Sequence, residues 1–271
     1  MEKNNNIIEL YVRGIEKTQK ADFSTGFDDL DIFCKHLDGG DILTIGGRPA
    51  MGKLSLTMSL TNHLLDKGKS ILFCSLDLSK EQLVQKLVSE RIGIPLFYLA
   101  GGKVRKEEVD IVLNSYEDKK FDIIDGSTLT INDIETKIKE TQPDIVFINY
   151  IQLLGMPKAP NLTEATNLAI KEIKRIAVEN NVIVVLLSQL SRAVEARMDK
   201  HPMLSDLRNG SLLEEISDVI LFIYREEYYS NETEFPRNEI IVAKNTMGPV
   251  GTVSLDFKQG FFRNFKREDT F

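Results

Sequence analysis

The sequence predicts an α/β fold: a mostly parallel central sheet with helices on both faces and a β-hairpin at its C-terminal side. Three observations predict it. Short β-branched runs alternate with helical patterns from about residue 41 to 188, the order expected of parallel strands joined by helical crossovers. Past residue 217 that alternation ends, and three apolar runs are spaced by the turn signals Asn231, Pro236 and Gly248-Pro249. Finally, Gly47-Arg48-Pro49-Ala50-Met51-Gly52-Lys53-Leu54 joins a strand pattern to a helical one, the setting of a phosphate-cradling loop.

In chain order, residues 6–18 read as an amphipathic helix. Ile7, Tyr11 and Ile15 share one stripe, Ile8 and Val12 flank it, and Asn4 to Asn6 offer capping side chains. The polar stretch Gln19–Thr25 separates this helix from the rest. Residues 1–20 are therefore expected to form a docking helix and residues 21–271 the main domain. A lone helix of this length is unstable in water, so its apolar face must pack on its own domain or on a neighbour. Strands are expected at 41–46, 70–75, 121–125, 144–149 and 182–188, and helices at 52–66, 79–92, 105–117, 131–141 and 163–180. The later runs 218–224, 238–244 and 250–256 read as strands, the last two as a hairpin. Gly155 to Glu164 and Ser191 to Ser205 read as mobile loops.

Composition narrows the function classes. At 271 residues with 42% apolar content, the chain can bury one large α/β core plus a short extension. A net charge of −7 and a pI near 5.2 argue against nucleic-acid binding over the whole surface. They leave room for a local basic lining. Cys34 and Cys74 form no disulfide or metal pattern, the three histidines have no ligand spacing, and Met-Glu-Lys-Asn-Asn-Asn is not a signal peptide. The longest apolar run, Val182–Leu187, cannot cross a membrane. The expectation is a cytoplasmic protein with no membrane partner.

The glycine-rich loop carries the chemistry. Its backbone N–H groups and the following helix N-terminus attract phosphate, and Lys53 neutralises the terminal phosphates. The last position of such a loop is normally Ser or Thr, whose hydroxyl ligates Mg²⁺. Leu54 has no ligand to offer.

Several further segments together resemble the C-terminal motor domain of DnaB-type replicative helicases. Ser24-Thr25-Gly26-Phe27-Asp28-Asp29-Leu30-Asp31 is similar to that family's opening motif, and Gly47 to Lys53 to its phosphate loop. Phe73-Cys74-Ser75-Leu76-Asp77 resembles the strand bearing its catalytic glutamate, and Ile145 to Leu153 its Walker B strand. Ser188 to Glu195, with Pro202 and Ser205-Asp206-Leu207-Arg208, resembles its sensor and DNA-loop region. Ile241-Val242-Ala243-Lys244 with Gly248 to Val253 resembles its C-terminal hairpin. The similarity runs from about residue 8 to 265 and lacks the family's N-terminal domain. It implies a RecA-like P-loop NTPase fold, a hexameric ring, and a role for residues 6–18 as the helix that docks on an adjacent subunit.

The resemblance also exposes four departures at one site. The Mg²⁺-ligating Thr is Leu54, and Ser55, one helical residue on, is expected to turn away by about 100°. The Walker B aspartate is Asn149, the water-polarising glutamate is Asp77, and the arginine finger is Thr246, two residues after Lys244. Lys53, the γ-phosphate sensor position Gln189 and the neighbour's basic group Lys244 remain. Phosphate affinity is thus expected to persist where catalysis is lost, since catalysis needs contacts made only in the transition state. ATP or ADP is the expected cofactor, with Mg²⁺ poorly supported.

The matching DNA-contact positions are Arg192, Arg197, Lys200, Arg208 and Asn209, offset by Glu195, Asp199 and Asp206. Without interleaved aromatics, only weak, salt-sensitive ssDNA binding summed over a ring is expected. The expected function is a catalytically degenerate ATP-binding domain that associates with itself or with a DnaB-type helicase and regulates, loads or co-assembles with it. The alternative is an active, hexameric 5′–3′ helicase motor.

Overall fold

The computed structural model describes residues 22–101, 105–208, 210–229 and 237–265, with Ile7, Tyr11, Val12, Gly14 and Ile15 of the N-terminal segment. The elements run α1 (Asp28–Cys34), β1 (Ile42–Gly47), α2 (Lys53–Asp66), β2 (Ile71–Ser75), α3 (Lys80–Ile92), α4 (Leu96–Ala100), α5 (Lys106–Asn114) and β3 (Phe121–Asp125). They continue α6 (Ile131–Thr141), β4 (Ile145–Asn149), α7 (Leu162–Asn180), β5 (Ile183–Gln189), α8 (Gly210–Ile216), β6 (Val219–Arg225), β7 (Asn238–Asn245), β8 (Gly251–Lys258) and β9 (Phe261–Asn264).

Among the described residues, one sheet carries nine strands in the order β3-β2-β4-β5-β1-β6-β7-β8-β9. Pairing is parallel from β3 to β6 and antiparallel from β6 to β9. Buried strands alternate their side chains between two cores. Phe73 and Phe147 stack at 5.5 Å on one face, under Leu56, Leu60 and Leu64 of α2 and Leu83 and Leu87 of α3. Leu72, Val146 and Val184 meet Ile134 and Ile138 of α6 and Ile170, Ile173 and Ile176 of α7 on the other. Capping explains where helices start. Ser79 with Gln82 and Thr130 with Asp133 form capping boxes, and Asn161 accepts from the Glu164 N–H.

Every expected strand is present, with ends shifted by no more than two residues, and the β7–β8 hairpin forms. The helix expected over 105–117 stops at Asn114. Four short elements, α1, α4, α8 and β9, were not expected. β9 follows Gln259 and Gly260, both at positive φ, a two-residue turn that carries no Asn-Gly or Asp-Gly signal. The Ser24–Asp31 motif has a structural role: the Asp31 carboxylate accepts the Ser24 hydroxyl and the Thr25 N–H and hydroxyl, and Ser24 also bonds His63 of α2.

The described residues of the N-terminal segment are helical, and Ile7, Tyr11, Val12 and Ile15 are exposed. Ile8 lies outside the described residues. Among the described residues no helix is long and apolar enough to cross a membrane.

Candidate nucleotide-binding site

β1 runs buried between β5 and β6 and delivers the phosphate loop at its C-terminal end. In open α/β sheets, ligands bind at that end, where the chain's crossovers diverge to either side. Gly52 precedes α2 at φ 94°, and a Cβ there would come within 2.9 Å of Phe262 and 3.2 Å of Phe257. Glycine is therefore obligatory on both backbone and packing grounds. Phe257 and Phe262, 4.6 Å apart, form a floor under the loop.

A cleft of about 360 Å³ opens above it, lined by Pro49, Ala50, Gly52, Lys53, Leu54, Ser55, Asp77, Asn149, Tyr150, Gln189 and Phe257. Ser55, expected to turn away, borders the cleft after all, because the α2 start lies along its wall. The structure brings Lys53, Leu54, Asp77, Asn149 and Gln189 together from α2 and the ends of β2, β4 and β5. Lys53 is buried, and its amine donates to the Gly47 carbonyl at 2.7 Å and the Arg48 carbonyl at 3.0 Å. Burial, with the nearby Arg48 charge, brings Lys53 down to about 8 against the partial opposition of Asp77. The lysine is stored against the loop's own carbonyls, within reach of incoming phosphate.

The other side of the cleft is a closed pair. Asn149 ends β4, opposite Ser75 of β2, and its amide donates to the Asp77 carboxylate at 2.7 Å. Asp77 is exposed as a residue, yet its carboxyl is set partly into the cleft, and that desolvation pushes it up, against its own backbone N–H, Lys86 and Lys53. Two carboxylates at this spacing would repel, and a shared proton or a cation would have to sit between them. An amide and a carboxylate satisfy each other without one. Leu54 offers no oxygen, and the Asn149 amide is neutral and engaged. Of the cleft's oxygen donors, the Asp77 carboxylate is already engaged and Leu54 supplies none, which leaves weak protein support for Mg²⁺, an ion that favours carboxylate and hydroxyl oxygens around an octahedral centre.

Lys244 and Thr246 are not in this cleft. Lys244 pairs with Ile220 and Asn245 with Val219 at the start of β6, whereas the loop leaves from the end of β1. The register places Lys244 level with Thr44 and Asn245 level with Leu43, so about 10–13 Å of strand at ~3.3 Å per residue separates them from the loop start at Gly47. Within this chain the Lys244 amine holds the Glu214 and Glu215 carbonyls at the end of α8, and Thr246 is exposed.

The 191–208 segment, whose stretch Ser191 to Ser205 reads as a mobile loop in the sequence, is tied down. Leu190 bridges Leu207, and Arg197 grips both oxygens of buried Asp206 at 2.8 Å. The Lys200 amine holds the Glu195 carbonyl at 2.6 Å and also that of Arg197. Arg192 and Arg208 are exposed. Asn209 lies outside the described residues. Sequence reasoning missed Arg225, which stacks on Phe257 at 3.6 Å and donates to the Ala50 carbonyl. It also missed Tyr150 and Phe257 as cleft walls. These are long-range contacts with no local signature.

A phosphate loop at the C-terminal edge of a mostly parallel sheet, faced by groups from β2, β4 and β5, defines a RecA-like ATPase fold. The chain belongs to the DnaB-like helicase C-terminal domain family, whose model matches residues 22–266. It is 35% identical over 260 residues to a probable replicative DNA helicase of Trieres chinensis, covering 90% of this chain and 57% of that protein. It is 36% identical over 242 residues to a probable plasmid replicative DNA helicase of Chlamydia psittaci, covering 86% and 53%. The chain thus spans a little over half the length of these relatives. Among solved structures, the ATPase domain of G40P superposes with a TM-score of 0.89 at 31% identity, covering 97% of this chain and all of that one.

Proposed function

We propose that this chain is a DnaB-type domain that holds ATP or ADP without turning it over efficiently. It acts by associating with itself or with a DnaB-type replicative helicase, whose loading, assembly or advance it regulates during DNA replication. The observation that carries this reading is the 2.7 Å Asn149–Asp77 hydrogen bond. It replaces the charge that would hold a metal and occupies the carboxylate that would polarise water. Phosphoryl transfer depends on metal, water positioning and a finger cation, and the finger alone is worth about 10³–10⁵ in rate. All three are altered here, while Lys53 and the loop amides remain to bind phosphate.

A second reading, an active hexameric 5′–3′ helicase motor, draws on Ser55 bordering the cleft and on the retained Lys53 and Gln189. One experiment separates the two. ATP binding is measured by calorimetry and turnover at steady state, with and without ssDNA, at concentrations that permit assembly. Binding with near-background turnover is expected. Robust, DNA-stimulated turnover makes the chain a motor.

A further inference from the structure

We propose that Glu195 is a positioning residue for the phosphate loop, and that through Arg48 it ties phosphate occupancy to the placement of the 191–208 segment. The inference rests on the nucleotide-binding reading of the cleft.

Arg48 is the second residue of the loop, and its side chain points away from the cleft. It is buried to 10% side-chain exposure. Its Nε and Nη2 both reach Glu195 Oε1 at 2.8 Å, and its Nη1 donates to the Leu190 carbonyl at 2.9 Å. Leu190 directly follows Gln189, which lines the cleft. A guanidinium held by three charge-assisted contacts in a desolvated setting has little freedom of its own. It moves with the loop backbone or with the segment that holds it.

Both ends of this link are connected onward. Toward the cleft, the Arg48 carbonyl accepts the Lys53 amine at 3.0 Å. Phosphate that draws Lys53 toward itself withdraws that bond from the very residue whose side chain holds Glu195. On the other side, the Glu195 carbonyl accepts the Lys200 amine, and Arg197 clamps Asp206, whose own carbonyl accepts the Ser191 N–H at 2.7 Å. Among the described residues the segment is thus one hydrogen-bonded unit, with the Arg48–Glu195 side-chain pair linking it to the phosphate loop and His201 tying it to Glu239 of β7. That unit displays Arg192 and Arg208 on its surface.

The test compares Glu195→Ala and Glu195→Gln with the unaltered chain. Gln keeps a carbonyl oxygen for Arg48, and Ala keeps none. Two quantities are read: ATP affinity by calorimetry, and amide hydrogen exchange across 192–207 with and without ATP. Glu195 is partly exposed, so both variants are expected to fold, and circular dichroism checks that. In the unaltered chain and in Glu195→Gln, ATP is expected to change exchange across the segment. In Glu195→Ala that response disappears, and ATP affinity falls about tenfold through a misplaced loop. A residue that merely packs would leave the ATP response in place. An undiminished response in Glu195→Ala overturns the proposal. So does ATP binding to the unaltered chain with no change across 192–207, which leaves the nucleotide reading standing. Absence of ATP binding in the unaltered chain overturns both.

Discussion

Lys53 and Asn149 face one cleft from opposite sides of β5, and their surroundings differ. On the β1 side lie the left-handed Gly52, the aromatic floor and the buried Lys53 amine held by two carbonyls. On the β4 side, the Asn149 amide and the Asp77 carboxylate satisfy each other in a 2.7 Å hydrogen bond. On the proposed reading, ground-state binding and transition-state stabilisation use different atoms and so separate physically. A buried amine against carbonyls serves any phosphate, bound or reacting. A carboxylate engaged by an amide serves neither a metal nor a water.

The largest effect tests that separation directly. Leu54→Thr, Asp77→Glu, Asn149→Asp and Thr246→Arg together are expected to raise steady-state turnover about 10²-fold or more over the best single variant. Each single change leaves the other defects in place, so each alone is expected to rescue little. If Leu54→Thr alone gives most of the gain, the Asn149–Asp77 pair is not what silences the site.

The N-terminal stripe gives the next largest effect. Ile7, Tyr11, Val12 and Ile15 are exposed, and burying such side chains contributes about 1.5–3 kcal/mol each before ordering costs. Deleting residues 1–20 is expected to weaken self-association, or capture of a DnaB-type helicase, by about 100-fold or more while the domain stays folded. Light scattering and co-purification check it. Equal association of the truncated form would show that the stripe packs on its own domain.

How far the sequence reveals this site follows from the range of the interactions. The strands were legible because a buried parallel strand must be a short β-branched run, and β1, β4 and β5 are such runs. The phosphate loop was legible because its geometry needs glycine and lysine at fixed spacing. α1, α4 and β9 were missed: with four to seven residues each, no period can establish itself. The sequence revealed that Asn149 and Asp77 differ from the family pattern. It did not reveal that they bond each other, since they are 72 positions apart. The same holds for Arg48 and Glu195. Ser55 was misjudged because a helical angle locates a side chain relative to its own helix, not relative to the cleft wall.

Lys53→Met sharpens the phosphate side, with an expected loss of ATP affinity of about 30-fold or more, since a charge-assisted contact disappears. The same change should stabilise the empty protein. In the folded chain Lys53 is lowered to about 8 from its ordinary 10.5. Between those values the unfolded chain binds more protons than the folded one, so stability from this group rises with pH across that window. Below about 8 the charged amine is buried at a cost. Melting curves at pH 7 and pH 10 check the sign: the Met variant gains most at pH 7, and its advantage shrinks by pH 10. Equal gains at both would mean that the amine is not desolvated when empty.

The smallest effect tests the β4 side alone. Asn149→Asp places a carboxylate 2.7 Å from the Asp77 carboxylate, replacing a donor with a like charge. One of the two must then hold a proton or the pair must spread, and a cost of about 1–3 kcal/mol is expected at neutral pH. Its pH dependence is fixed by linkage. Asp77 is already above its ordinary value through desolvation, and the new neighbour raises the pair further. Carboxyls whose folded pKa exceeds the unfolded one favour the folded state at low pH and lose that contribution as pH rises through the folded value. The variant should therefore approach the stability of the unaltered chain in acid and fall behind it at neutral pH. Mg²⁺ gives the second readout. In the unaltered chain it should tighten ATP binding less than about tenfold, worth ~1.4 kcal/mol. In Asn149→Asp it should recover part of the lost stability, because two carboxylates make the kind of site that an amide–carboxylate pair does not. A variant as stable as the parent at pH 7, without Mg²⁺, would show that Asn149 and Asp77 are not paired in solution, and the reading of a silenced site would lose its main support.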